Sequence, residues 1–145
     1  MRRTRLGKFI LSFLLVVGAV VSTAVDWNET HLFNPAWHPH ARFHDGLFLA
    51  LLDGTTLIML WLLWRPSREP AVAVTATTLY LLAVWTPFFY IEALIPGTSL
   101  LASVDVPVLT LGSVSVPPNL AVAIVVVMLA LAGWFLARDA GHDAY

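Results

Sequence analysis

The chain has 145 residues, 59% of them hydrophobic and 12% charged, with a formal net charge of −1. Soluble domains carry about 25% charged residues, so this is the composition of a membrane protein, and no basic patch beyond the N-terminus suggests nucleic acid. The absence of cysteine excludes disulfides, thiolate nucleophiles, iron–sulfur clusters and Cys-ligated zinc.

Four segments read as spans: 6–25, 44–64, 71–95 and 119–137. Each is long enough for ~30 Å of hydrocarbon. The expected fold is therefore all-α, a single integral membrane four-helix bundle with no separate soluble domain. The first segment also fits a second pattern. Arg2, Arg3, Arg5 and Lys8 precede an apolar run that ends near Ser22-Thr23-Ala24, as in a cleaved signal peptide. Its whole apolar length suffices to span, so an uncleaved first helix is expected.

Seven of the eight basic residues fall on one side of the spans, with Arg42 as the exception. The positive-inside rule then places both termini in the cytoplasm, in a plasma (inner) membrane. The loop 26–46 and the second outer loop, 96–118, become extracytoplasmic. His142 in the cytoplasmic tail reads as solvated. The inner turn "WRPSREP" uses prolines to stop the second helix and start the third. The alternation through Val104, Val106 and Val108, with Gly112-Ser113 as a turn, predicts a short hairpin in the second outer loop. An ordered loop packed on helix ends is the competing expectation.

The segment 26–46, "DWNETHLFNPAWHPHARFHDG", holds four of the five histidines. Pro39 suits the first turn of a helix, so the second helix can begin near His38 to His40. His40 and His44 then share one face, a turn apart. Two such histidines can chelate one metal, with His31 folding back as a third ligand. Zinc, copper or iron fit this donor set better than hard-oxygen cations. Asp26, Glu29 and Asp45 can act as ligands or as acceptors that fix a histidine tautomer. A metal-free reading needs only a histidine beside a carboxylate, because imidazole titrates near neutrality. Trp27, Phe33, Trp37 and Phe43 would supply aromatic walls for an apolar substrate or a cation. A third reading is purely structural, with Trp at the interface and Asp26, Asn28 and Asn34 capping turns.

Within the spans, Asp53 lies about 13 Å beyond His44 along a helix. That depth predicts a carboxylate near mid-membrane facing the bundle interior. Gly54, Thr55 and Thr56 follow it and permit close helix approach. Glu92 closes the third span at the level of the histidines. Pro87 can kink that helix and open a pocket among aromatics. Glu92 is thus expected to assist the loop from another helix, with Asp105 a weaker candidate. The fourth span carries no ionisable group before Arg138 and reads as scaffold.

The run Asp26-Trp27-Asn28-x-Thr30-His31, then Asn34-Pro35-x-Trp37, then Pro39-His40-Ala41-x-Phe43-His44, resembles a family of small, uncharacterised four-helix membrane proteins. The resemblance singles out His31, His40 and His44 with Asp26, Asn28, Asn34 and Trp37. It places His38 at a variable position and implies no reaction. The expected function is a membrane-embedded enzyme acting on an apolar or lipid-like substrate. His31, His40 and His44 form its core, as catalytic groups or metal ligands, and Glu92 and Asp53 assist. The alternative is a non-catalytic metal-binding or accessory subunit whose outer loop docks a membrane partner. Membrane lipid surrounds either, and a homo-oligomer is compatible with both.

Overall fold

Four apolar runs form four long helices in the structure, a computed structural model that describes residues 2–101 and 106–139. Val104, Asp105 and His142 lie outside the described residues. Helix α1 spans Arg2–Asp26, α2 Pro39–Trp64, α3 Pro70–Trp85 and α5 Pro118–Ala137. A 3-10 turn, Thr86–Phe89, and the short α4, Ile91–Leu94, follow α3. With the 3-10 turn included, all four long helices have the length and composition to cross a membrane. Strands β1, Leu109–Leu111, and β2, Val114–Val116, form a short hairpin at the expected Gly112-Ser113 turn, with the first strand beginning just after Val108. Its two-residue turn has Gly112 at φ +63°. A positive φ at the first turn position is the type II′ pattern, which glycine adopts without a Cβ penalty.

Each helix buries one narrow face. In α1 it is Gly7, Leu11, Leu14, Leu15 and Ala19; in α5 it is Ala123, Val126, Ala130, Gly133 and Ala137. Both sets recur at three- and four-residue spacing, so they line one side of a helix. The opposite faces expose large apolar side chains such as Phe13, Leu57 and Met128. Such faces suit hydrocarbon, where an apolar exterior costs nothing. Helix α1 lies against α2 and α5, α3 lies against the same two, and α1 also reaches α3. The core joins Leu11, Leu14 and Leu15 to Leu63, Val74, Leu81, Trp85 and the small residues of α5.

The crossing of α1 with α5 is the tightest of these contacts. A Cβ on Gly7 would sit 2.5 Å from the Gly133 carbonyl oxygen and 2.8 Å from the Ala137 Cβ. Small residues at such a crossing let backbones approach and gain dispersion contacts, which drive helix association where no hydrophobic effect operates. Close approach was expected at Gly54, but nothing lies within 4 Å of a Cβ built there.

The basic ends of the helices are tied by side chains. Lys8 Nζ donates to the Leu63 carbonyl at 2.8 Å, satisfying one of the open carbonyls at the C-terminus of α2. Trp64 Nε1 donates to Ser12 Oγ at 2.9 Å. The guanidiniums of Arg3 and Arg138 both lie over the Phe135 ring, at 5.1 and 4.5 Å from its centroid.

The third span, expected as one helix to Ile95, breaks at Trp85. Pro87 has no N–H for the Ala83 carbonyl, and the Thr86 hydroxyl donates to the Leu82 carbonyl at 2.7 Å. The chain tightens to 3-10 geometry and restarts as α4.

Helices α1 and α2 are also staggered. Thr23, one turn before the end of α1, donates to both carboxylate oxygens of Asp53, at 3.3 and 3.2 Å. Residues 39–52 of α2 therefore extend past that level, about 20 Å along its axis at 1.5 Å per residue. This stagger lifts the first turns of α2 clear of the end of α1, where residues 27–38 fold back against them.

A candidate acid–base site at one end of the bundle

The loop between α1 and α2 is built by asparagines. The Asn28 amide donates to the Val25 carbonyl through Nδ2. Its Oδ1 accepts from the Thr30 N–H at 2.7 Å and from the Thr30 hydroxyl at 2.6 Å. This is the Asx-turn habit of asparagine, a side chain standing in for backbone. Asn34 braces the second half, accepting from the Ala36 N–H at 2.9 Å and donating to the Thr30 carbonyl at 3.2 Å. Through these bonds both asparagines hold the loop.

These bonds favour one tautomer of His31. The Asn28 amide has a donor end on one carbonyl and an acceptor end on one N–H, so its orientation is unambiguous. The Thr30 hydroxyl has one proton, and Asn28 Oδ1 can only accept it. The Thr30 oxygen then accepts from His31 Nδ1–H, across 2.8 Å. In neutral His31 the lone pair is thus on Nε2. That nitrogen faces Asp26 Oδ1 at 3.7 Å, longer than a hydrogen bond but within ion-pair range. Both side chains are partly covered, 31% and 24% exposed.

Asp45 completes the group. Its carboxylate interacts electrostatically with His31 and with Asp26. Its Oδ2 is buried and has no hydrogen-bond partner among the described residues. Trp37 stands edge-on to His31, ring centroids 5.7 Å apart. Trp27 and Phe33 form a second edge-on pair at 5.8 Å, both largely exposed. Asp26, His31 and Trp37 are therefore neighbours, with the Asp45 carboxylate close enough to act electrostatically on Asp26 and His31.

His40 and His44 form a separate pair. Their Nε2 atoms are 3.0 Å apart, and both residues are exposed. His38 caps α2, its Nδ1 accepting from the His40 N–H at 3.2 Å. The expected trio of His31, His40 and His44 is divided between two clusters. Among the described residues, no three His, Asp or Glu side chains are gathered as a metal's ligand set.

Glu92 is occupied within its own segment, where its carboxylate accepts from the Leu100 N–H at 2.6 Å. Asp53 lies against the last turns of α1, where the Thr23 hydroxyl donates to its carboxylate. Beside it, Tyr80 donates to the Leu52 carbonyl at 2.9 Å. A cavity of about 10 Å³, lined by Gly18, Thr56, Tyr80 and Trp85 among others, separates α1, α2 and α3 there. That volume is near the minimum for one water and excludes a lipid-like guest. Thr30 is the one site residue that sequence reasoning assigned no role. The Asn-x-Thr-His spacing carried the signal, since an Asx turn over Thr30 sets its hydroxyl beside the next ring.

A family model matches residues 10–143, nearly the whole chain; its description is Family of unknown function (DUF6640). Neither the curated proteins nor the solved structures contain a match to this chain.

Proposed function

The chain belongs to DUF6640, a family of unknown function, and from its own residues we propose that it is a membrane-embedded acid–base enzyme acting on an apolar or lipid-like substrate at the bilayer boundary. The observation that carries this reading is the placement of His31. Its Nδ1 is committed to Thr30, and its Nε2 is turned toward Asp26. In this mechanism Nε2 accepts a proton from the substrate. The Asp26 and Asp45 carboxylates stabilise the charge of the resulting imidazolium. Nε2 then returns the proton to a different substrate atom, so the reaction is redox-neutral. The exposed rings of Trp27 and Phe33 suit an apolar chain entering from the lipid side.

The basic residues at the opposite helix ends support an orientation with this site outside the cytoplasm, in a plasma (inner) membrane. Incubating the full chain in nanodiscs of extracted lipid, followed by mass spectrometry of the lipids, tests the function. A converted lipid with wild type, absent with His31→Ala and Asp26→Asn, is the expected result. Equal conversion by all three proteins would defeat the proposal.

A non-catalytic docking role is the second reading, favoured by the exposure of Trp27 and Phe33. It predicts a membrane partner that co-purifies and is lost when Trp37 is changed.

A further inference from the structure

The His40–His44 pair is not used by the acid–base mechanism, and its geometry has an independent meaning. We propose that these two residues bind one divalent transition-metal ion, at a site separate from Asp26 and His31.

The pair follows from how α2 begins. Pro39 is in the first turn and His38 is the N-cap, which sets His40 and His44 on one face a turn apart. The stagger of α2 past α1 leaves both side chains exposed. Their Nε2 atoms converge to 3.0 Å with the rings nearly perpendicular, at 81°. Two nitrogens bound at 2.0–2.1 Å to one tetrahedral ion are about 3.3 Å apart. An opening of a few tenths of an ångström therefore turns the contact into a chelate.

The rings are held for this. Phe43 stacks on His40 at 6.2 Å with planes 8° apart and stands edge-on to His44 at 5.7 Å. Holding ligand rings in place before the metal arrives reduces the ordering cost of binding.

A 3.0 Å contact between two imidazole nitrogens requires something positive between them. In the metal-free protein it is one proton, donated by one Nε2 and accepted by the other. A metal ion takes that place by binding both lone pairs. The displaced proton moves to Nδ1 of the same ring, so the neutral pair binds without net proton release.

His38 does not join. Its Nδ1 lone pair accepts from the His40 N–H, so its neutral ring carries the proton on Nε2. His31 belongs to the other cluster, and no third His, Asp or Glu is gathered with the pair among the described residues. Two protein ligands leave the remaining positions to water or an incoming ligand. An all-nitrogen site suits Cu²⁺ and Zn²⁺ over Mg²⁺ and Ca²⁺, which require oxygen, and Cu²⁺ should bind tighter than Zn²⁺.

The test uses untagged full-length protein in detergent, stripped of metal and titrated with Cu²⁺ and separately with Zn²⁺. Affinity and stoichiometry come from calorimetry, and ligand identity from the nitrogen couplings in the Cu²⁺ paramagnetic resonance spectrum. The expected result is about one ion per chain with two coupled nitrogens. Affinity should fall at least about tenfold in His40→Ala and in His44→Ala, and stay within about twofold of wild type in His31→Ala and His38→Ala. Undiminished binding in a His40→Ala/His44→Ala double variant would overturn the assignment, as would its loss in His31→Ala. All four positions are partly or fully exposed, and circular dichroism verifies that each variant keeps its helices. Lipid conversion by the His40→Ala/His44→Ala protein keeps this test separate from the acid–base reading.

Discussion

Gly7→Leu is expected to abolish the folded bundle. Even one added methyl at this position meets the Gly133 carbonyl oxygen at 2.5 Å and the Ala137 Cβ at 2.8 Å. Neither obstacle is the end of a flexible side chain, so α1 and α5 must separate. Overpacking of this kind costs ~1–3 kcal/mol for small additions and more for large ones. Alanine should therefore lower the melting temperature in detergent by several degrees, and leucine should leave no cooperative transition. The loss spreads, because the same crossing brings Leu11, Leu14 and Leu15 into the core with Ala130 and Ala137. Gly54→Ala is the control, since a Cβ there meets nothing within 4 Å. It should be neutral or stabilise by roughly 0.5–1 kcal/mol, the usual advantage of alanine over glycine within a helix. Tryptophan fluorescence during thermal unfolding reads all three variants. A Gly7→Leu protein that melts like wild type would mean that α1 and α5 do not cross as described.

Asp26→Asn should reduce lipid conversion by about 10²–10⁴-fold, the range expected when a positioned proton-transfer group is disabled. The amide keeps the size of the side chain but removes the charge facing Nε2, so the imidazolium formed during the reaction loses its nearest stabilising partner. Thr30→Val tests a smaller contribution. It removes the acceptor for Nδ1–H, frees the ring to adopt the other tautomer, and should lower the rate about tenfold, within the range for lost orienting partners. Because Thr30 touches no substrate in this account, its substitution should act on kcat more than on KM. The rate order wild type, Thr30→Val, Asp26→Asn checks the division of labour. An Asp26→Asn protein as active as wild type would remove the carboxylate from the mechanism.

Much of this architecture is legible in the chain, for identifiable reasons. The four helices follow from apolar runs of membrane length, and the hairpin turn from Gly112-Ser113. The i, i+4 spacing after Pro39 is enough to predict that His40 and His44 meet. What is not legible depends on how helices slide past one another. Nothing in α2 alone reveals its stagger against α1, which sets Asp53 beside Thr23 near the end of α1. His31 is fixed by its own loop, to Thr30 and Asp26, and is not gathered with the pair on α2 as a ligand set among the described residues. Glu92 reads as a carboxylate free to reach across, yet the chain turns after Ile95 and brings the Leu100 N–H to it. Gly7 and Gly54 look alike in sequence, and only the packing of α5 makes one of them indispensable.

The most direct test of the acid–base account is nitrogen NMR of the full chain with ¹⁵N-labelled histidine, assigned with a His31→Gln variant. The account predicts that His31 keeps its proton on Nδ1 and that its Nε2 resonance moves when Asp26 becomes Asn. A neutral His31 with its proton on Nε2, unaffected by Asp26→Asn, would contradict it, because that nitrogen would have no lone pair with which to take a proton from any substrate.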